Sequence, residues 1–415
     1  MAVDFSLLPP EEPLPDKPPS RLLWTVIFFV IAIIGVFLVL LLWPKYEPTQ
    51  TPWFWTCVTV YPSGLAALVV LRRFSVFEGW RLEAIAWNDA REDHESGVFE
   101  RASRPLAVLA ATCRFACEAE EDDFDKLLDQ SVTLAPRTAL KPDAPPINAR
   151  WLERRADDGS EFRSDRQRRY QLLRWAFCTA IRAVAEAVRT LPPELRVKVQ
   201  LVVPGIESVD EALTIWSREW AKVDLRPTQV GVLVDPPDLM YTDTWLDRVN
   251  NNLDGEARLL VCVKLNPVVE TLPLDGSSEA LAALLIVPWA LAQQFRLAPI
   301  AMMHRPNGVE DCTIDDALAR AFRWGGVGPA DIRRSWRGGF EATNRSATTI
   351  ALVKTGMPAK TLDVDTMIGH AGEIAPWVAI ACAATAACRD RAAQLAITTG
   401  KSEVCFAIVR NINRD

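Results

Sequence analysis

The stretch that decides the fold reads Asp363-Val364-Asp365-Thr366-Met367-Ile368-Gly369-His370-Ala371-Gly372-Glu373-Ile374-Ala375-Pro376 and runs on through Trp377, Ile380, Cys382, Ala384 and Ala387 as a series of small and apolar residues. A helix that is apolar on every face has no side to offer water, and one made largely of alanine lets neighbouring backbones come close. The segment after His370 is therefore expected to be a central core helix. Gly369 and Gly372 at its start suit a tight loop with unusual φ values, and Pro376 is tolerated in a first turn. Besides His370 the chain holds only His94 and His304, so a base would have few candidates. An imidazole at the start of such a helix is either a structural hydrogen-bonding group or a catalyst.

Outward from this helix the chain alternates strands and helices. Leu106–Ala111 is a short apolar run that suits a buried strand. It is followed by Thr112-Cys113-Arg114-Phe115 and an acidic helix, Glu120–Leu128. Residues 131–169 are Pro-rich and basic, and Arg163, Arg166, Arg168 and Arg169 read either as a solvated face or as a phosphate-binding cluster. Tyr170–Arg189 is an amphipathic helix with an Arg-rich outer face. Strands at Val197–Val203, Gln229–Val234 and Arg258–Leu265 are separated by helices at Val209–Lys222 and Trp245–Leu253, a pattern that implies an α/β sheet with right-handed crossovers. A turn, Leu274-Asp275-Gly276-Ser277-Ser278-Glu279, leads into an Ala/Leu/Ile strand. A helix over Thr313–Phe322 precedes Gly325-Gly326-Val327-Gly328-Pro329-Ala330-Asp331-Ile332, and Val404–Val409 is the closing strand.

The opening strand with its Cys-Arg-Phe turn, the turn at 274–279, the glycine turn with Pro-x-Asp-Ile and the Gly369-His370 pair occur in an order that resembles the ketosynthase and thiolase superfamily. The resemblance implies an α/β, thiolase-like layered fold over residues 105–412, with two pseudo-related halves whose sheets enclose buried central helices. It also implies a thiolate nucleophile at a strand-to-helix turn and histidines that face an acyl thioester. The segment that should carry the turn, Gly231-Val232-Leu233-Val234-Asp235-Pro236-Pro237-Asp238, has no cysteine, serine or threonine, and none follows before Thr242. The counterpart of the second histidine loop, Ser335–Thr343, has no histidine. What is left of the site is His370 with Gly369, joined by Lys354 and Asn344 as accompanying polar candidates. The expectation is a degenerate, non-enzymatic member with no catalytic residue, no cofactor and no metal. Cys262 and Cys312, in strand or loop contexts, stand away from any helix start.

The N-terminal quarter is of another kind. Residues 1–20 are rich in proline and acid and read as a disordered tail. Residues 21–73 read as a transmembrane hairpin with spans at 22–43 and 53–71; the first would extend roughly 33 Å, enough for a bilayer core. Residues 74–104 read as a mixed linker. Lys17, Arg21, Arg72 and Arg73 flank the pair outside and only Lys45 lies between, which places both termini in the cytoplasm. If the second stretch were instead a buried soluble helix, the main domain would lie outside. An apolar share of 49% excludes global disorder, and a net charge of −7 gives no nucleic-acid footprint. The nine cysteines, an odd count scattered in apolar runs, read as reduced core residues.

A membrane-tethered, cytosol-facing member of this superfamily without its nucleophile resembles the accessory adaptor proteins of bacterial type VI secretion lipase effectors. That resemblance implies the inner membrane as the location, and as partners a secreted lipase effector and its spike protein. Trp216/Trp220 and Trp324/Trp336 are candidates for the partner surface, or else core residues. The alternative is a membrane-associated acyl- or lipid-processing enzyme acting on a thioester.

Overall fold

A computed structural model describes residues 7–118, 124–141, 144–157, 159–250, 255–309, 312–340, 342–357, 360–400 and 403–412. The chain divides into two compact units, Asp4–Phe99 and Glu100–Asp415.

The first unit is helical. Helix α1 (Arg21–Leu42) buries none of its side chains and starts at Ser20, whose hydroxyl accepts the Leu23 N–H. A second helical run comprises α2 (Pro52–Trp55), one π turn (Thr56–Val60) and α3 (Tyr61–Ala102). Pro62 accounts for the π turn. It has no N–H and its ring crowds the carbonyl four residues back, so the backbone widens just ahead of it, and the Tyr61 N–H reaches back to Thr56 O. Helices α1 and α3 approach at Gly35, where a Cβ would lie 2.7 Å from Pro62 Cβ. Both helical runs are long and apolar enough to cross a membrane.

Two sequence expectations change in this unit. Residues 74–102, expected as a linker, continue α3, because no proline interrupts them and Ala, Glu and Arg recur through them. The tail is not free either: Pro9 O accepts from Arg91 Nε at 2.8 Å, and Glu12 exchanges hydrogen bonds with the Asn88 amide at 2.9 and 3.0 Å. A proline-rich strip has few N–H groups to satisfy, and its carbonyls are open to side-chain donors.

Among the described residues the second unit has eleven strands. They are β1 (Leu106–Arg114), β2 (Arg196–Val202), β3 (Gln229–Val232), β4 (Glu256–Lys264), β5 (Ala280–Pro288), β6 (Ala301–Met303), β7 (Asn307–Gly308), β8 (Ile332–Gly338), β9 (Lys360–Asp363), β10 (Ala393–Thr399) and β11 (Val404–Arg410). The helices between them are α4 (Phe124–Leu128), α5 (Asp165–Thr190), α6 (Val209–Ala221), α7 (Met240–Asn250), α8 (Trp289–Gln294), α9 (Ile314–Gly325), α10 (Ala342–Lys354), α11 (Val364–Ile368) and α12 (Ala375–Asp390). Polar caps mark several starts: Ser164 accepts from Gln167, Ser208 from Glu211 and Thr313 from Asp316. The expected acidic helix is seen from Phe124 on; Glu120–Asp123 lie outside the described residues, as do 251–253 of the helix expected at Trp245–Leu253.

The strand order is β3-β2-β4-β5-β1-β6-β11-β10-β8-β9, with β7 paired to β11. Within it the first half, β3-β2-β4-β5-β1, and the second, β9-β8-β10-β11-β6, share one plan: three parallel strands, then an antiparallel hairpin partner, then the first strand of the half. This is the duplication expected from the sequence. The halves are joined where β1 pairs with β6, Leu106 opposite Met303.

Each half of the sheet presents two apolar faces. In the first half Val199, Leu201, Leu259, Val261 and Leu285 pack against α5 and α6, while Leu260, Cys262, Leu284 and Ile286 face the interior shared with α7 and α12. In the second half Leu395, Ile397, Phe406 and Ile408 pack on α9, and Ala396, Ala407 and Val409 face α12. Helix α12 touches strands of both halves, and Ala375 to Ala384 are all buried. Its small side chains permit this: at Gly338 of β8 a Cβ would lie 3.2 Å from Ala375 O.

Candidate functional site

A cleft of about 1060 Å³ opens where the N-terminal ends of α7 and α12 meet. From the first half come Asp235, Pro236, Pro237 and Asp238 ahead of α7, Lys264 at the end of β4, and the 266–277 loop. From the second half come His370, Gly372, Glu373 and Pro376 around the start of α12, with Gly339, Asn344, Thr399 and Gly400. Trp377 ties the two helix starts together, its Nε1 donating to Pro237 O at 2.7 Å.

His370 is held by its backbone. Its N–H donates to Gly276 O at 2.7 Å, its carbonyl accepts from Ser278 N at 2.9 Å, and Ser278 Oγ donates to Gly369 O at 2.9 Å. Gly369 has φ +98°, and a Cβ there would sit 3.0 Å from Ser277 O, so no other residue fits between the 276–278 turn and the start of the helix. The ring itself is half-exposed toward the cleft, 51% for the side chain. Its Nδ1 lies 3.6 Å from Asp365 Oδ1, beyond hydrogen-bond length but close enough for charge attraction. The Asp365 carboxylate raises the His370 pKa above the ordinary 6.5 and outweighs partial burial, which lowers it.

Asp365 is the residue that sequence reasoning passes over. It lies on α11 and is almost fully buried, and its Oδ2 accepts from the backbone N–H groups of both Gly339 and Phe340 at 2.8 Å. Those two donors end β8, the segment aligned by resemblance with the missing histidine loop. A carboxylate thus spans the two loops of the second half and steadies His370 from behind. In the sequence it is one of two acids beside a short helix, with nothing local to mark it as buried. Lys264, 3.4 Å from Glu373 Oε2, completes the charged part of the cleft.

The other expected site residues are spread out. Gly369 and Asn344 are at the cleft, but Lys354 is not: its Nζ pairs with Asp315 Oδ2 at 3.0 Å on the exposed side of α10, because it falls at the far end of that helix from Asn344. Thr242, the first threonine after the start of α7, is buried and donates to Leu239 O at 2.6 Å. Cys262 and Cys405 lie inside the sheet; burial pushes the Cys262 thiol pKa well up and that of Cys405 up to about 12. Cys312 Sγ contacts Gly308 O, and Cys113 and Cys382 bring their sulfurs to 3.5 Å in the core. His304 is buried outside the cleft, where burial, aided by Arg410, lowers its pKa to about 4. His94 lies on α3.

The tryptophans are core residues, which corrects the expectation of a partner surface. Trp216 is fully buried, stacks on Trp220 at 5.5 Å and meets Phe177 edge-on at 5.2 Å. Trp336 is fully buried and stacks on Phe124, and Trp324 is 4% exposed under the Arg305 guanidinium. Trp216 and Trp336 find Phe177 and Phe124 on elements distant in sequence, which is why spacing alone leaves both readings open.

The sequence matches no family model and no curated protein. Solved structures are similar in fold. The ketosynthase from module 6 of the bacillaene synthase of Bacillus subtilis 168 aligns with a TM-score of 0.52 at 13% identity, covering 75% of this chain and 71% of that one. A type II polyketide ketosynthase in complex with its acyl-carrier protein aligns at 0.49 and 12% identity, over 74% of this chain and all of that one. Human mitochondrial 3-ketoacyl-CoA thiolase aligns at 0.42 and 9% identity, over 75% and 99%. The fold is thus ketosynthase-like, a large mixed sheet with helices.

Proposed function

We infer that this chain is a non-catalytic adaptor: a ketosynthase-like domain, carried on a membrane hairpin, that binds a protein partner in the cytoplasm. The observation that carries this reading is the approach to α7. Across the cleft from His370 that approach reads Asp235-Pro236-Pro237-Asp238 and itself carries no thiol or hydroxyl; the hydroxyls on the cleft wall, Ser277 and Thr399, come from other segments. A carboxylate pair flanking two prolines repels a thiolate-like charge and offers no proton-bearing sulfur to activate. The thiols of Cys262 and Cys405 are locked in the sheet with raised pKa values.

The hairpin reading is supported by the contact of Pro9–Glu12 with Asn88 and Arg91, since a tail ahead of one span and a helix beyond the next meet only on the same side. Positive charge at Lys17, Arg21, Arg72 and Arg73 favours the cytoplasm of a bacterial inner membrane for that side. The architecture, an anchor followed by a ketosynthase-like domain without its nucleophile, further suggests the partner: a type VI secretion lipase effector, delivered to its spike protein.

One observation favours the second reading, an acyl- or lipid-processing enzyme. His370, steadied by Asp365, is open to the cleft as a proton-handling group would be. The two readings part in one experiment. Purified full chain is treated with an acyl thioester and with a thiol-reactive ketosynthase inhibitor, and is separately co-expressed with a type VI secretion lipase effector. The adaptor reading expects co-purification of the effector and no labelled residue in the cleft. Turnover or cleft labelling, with no effector retained, would replace it with the enzyme reading.

A further inference from the structure

The Arg-rich outer face of α5 does more than meet solvent. Together with α6 and the 154–157 segment it walls a second concavity of about 630 Å³, separate from the His370 cleft, into which five cationic side chains converge: Arg154, Arg174, Arg182, Arg189 and Lys222. That size lies in the range of small-molecule sites rather than of an extended peptide groove. Few anions answer these charges. The Glu219 carboxylate, 5% exposed, holds both Arg174 at 3.2 Å and Lys222 at 2.6 Å, and Asp157 holds Arg174 at 3.1 Å and Arg154 at 3.5 Å. Three cations therefore share two carboxylates, which fix their positions while leaving positive charge over. Arg189 leans on Glu186, itself outside the concavity, at 3.6 Å. Arg182, exposed on α5, has no hydrogen bond or ion pair among the described residues. In a chain of net charge −7 this is a local excess of the opposite sign.

We propose that the concavity between α5 and α6 is a phosphate-binding site, taking a phosphorylated small molecule or the phosphodiester headgroup of an anionic lipid. Guanidinium forks match the paired oxygens of a phosphate, and a cradle of arginines already braced by carboxylates needs little ordering when the anion arrives. Trp175 forms part of the wall and Cys178 lies on it, half-buried, as a built-in reporter.

The test uses the full chain in phospholipid-free detergent, titrated calorimetrically with inorganic pyrophosphate, and the full chain in nanodiscs of phosphatidylcholine alone or with phosphatidylglycerol. In each arm the alkylation rate of Cys178 is read by peptide mass mapping. Pyrophosphate is expected to bind, to slow Cys178 alkylation at least fivefold, and to lose at least tenfold in affinity in Arg182→Glu with the melting temperature unchanged. Arg182→Lys should retain most of the affinity. Protection by phosphatidylglycerol nanodiscs alone, abolished by Arg182→Glu, would assign the lipid headgroup as the source of the phosphate. The proposal is overturned if neither probe protects Cys178, or if the protection seen survives Arg182→Glu.

Discussion

At the scale of single residues, Asp365 and His370 are the pair to measure. The carboxylate behind the ring favours the imidazolium, so the His370 resonance should titrate with a midpoint above 6.5. Asp365→Asn keeps an oxygen for the Gly339 and Phe340 N–H groups but removes the charge, and the midpoint should fall. The sign for stability follows: a histidine whose folded pKa is raised adds stability that is fully present below 6.5 and is lost as pH rises through the folded midpoint. The melting temperature should therefore drop slightly across that window in the native chain and not in Asp365→Asn. Asp365→Ala goes further, since it leaves two buried N–H groups unpaired, at about 1–3 kcal/mol. A buried, structurally essential ring at His370 is the natural expectation from sequence, but the ring is half-exposed and the backbone does the holding. His370→Ala should accordingly cost less than about 1 kcal/mol, and a fall in melting temperature as large as that of Asp365→Ala would contradict this.

At the scale of elements, α12 is legible in the sequence because its signal is local: one helix, apolar on all faces, with glycines at its start. Helix α5 is legible for the same reason, its apolar residues recurring at helical spacing on one side. What stays hidden depends on partners far away in the chain. Trp336 looks like a surface candidate until Phe124 is found against it, and Asp365 looks like a solvated acid until β8 delivers two backbone donors to it. The short strands β6 and β9, three and four residues long, carry too little pattern to be seen alone. Since Ala381, Ala383 and Ala384 are each fully buried, α12 has no spare volume. Ala383→Leu should cost about 1–3 kcal/mol by overpacking, read as a lower melting temperature. A neutral result would mean that the interior between the halves is looser than the alanine run implies.

At the scale of the whole molecule, a buried pair helps pin the segment that crosses from β1 to α5, beside the backbone bonds that Asn148 and Arg150 make with Gly276, Ser277 and Glu279. Arg168 meets Glu279 through two bonds of 2.8 and 2.7 Å, and Glu279 also accepts from the backbone N–H of Leu152 and Asn266. By sequence Arg168 belongs with the basic residues of a solvated or phosphate-binding cluster, and the structure moves it inside, 1% exposed. Removing one partner strands a buried charge, so Arg168→Met should cost about 3–5 kcal/mol, and Arg168→Met with Glu279→Leu should cost less than the single change. A loss in the double variant equal to the sum of the two single losses would mean that the pair contributes nothing as a pair. For the anchor, a reporter active only in the periplasm should be silent when fused at Asp415 and active when inserted near Glu47. The opposite pattern would invert the topology and remove the cytoplasmic setting of the proposed partner.

The strand order also sets a schedule. Strand β1 leaves the ribosome early, yet its neighbours are β5 and β6, and β5 begins only at Ala280. At typical synthesis rates the intervening stretch of roughly 165 residues takes about 8–30 s to appear. Throughout that time a nine-residue apolar strand, Leu106–Arg114, waits with both edges unpaired. A nascent chain stalled before β5 is therefore a template for wrong pairing, and the cell has reason to shield this segment during translation.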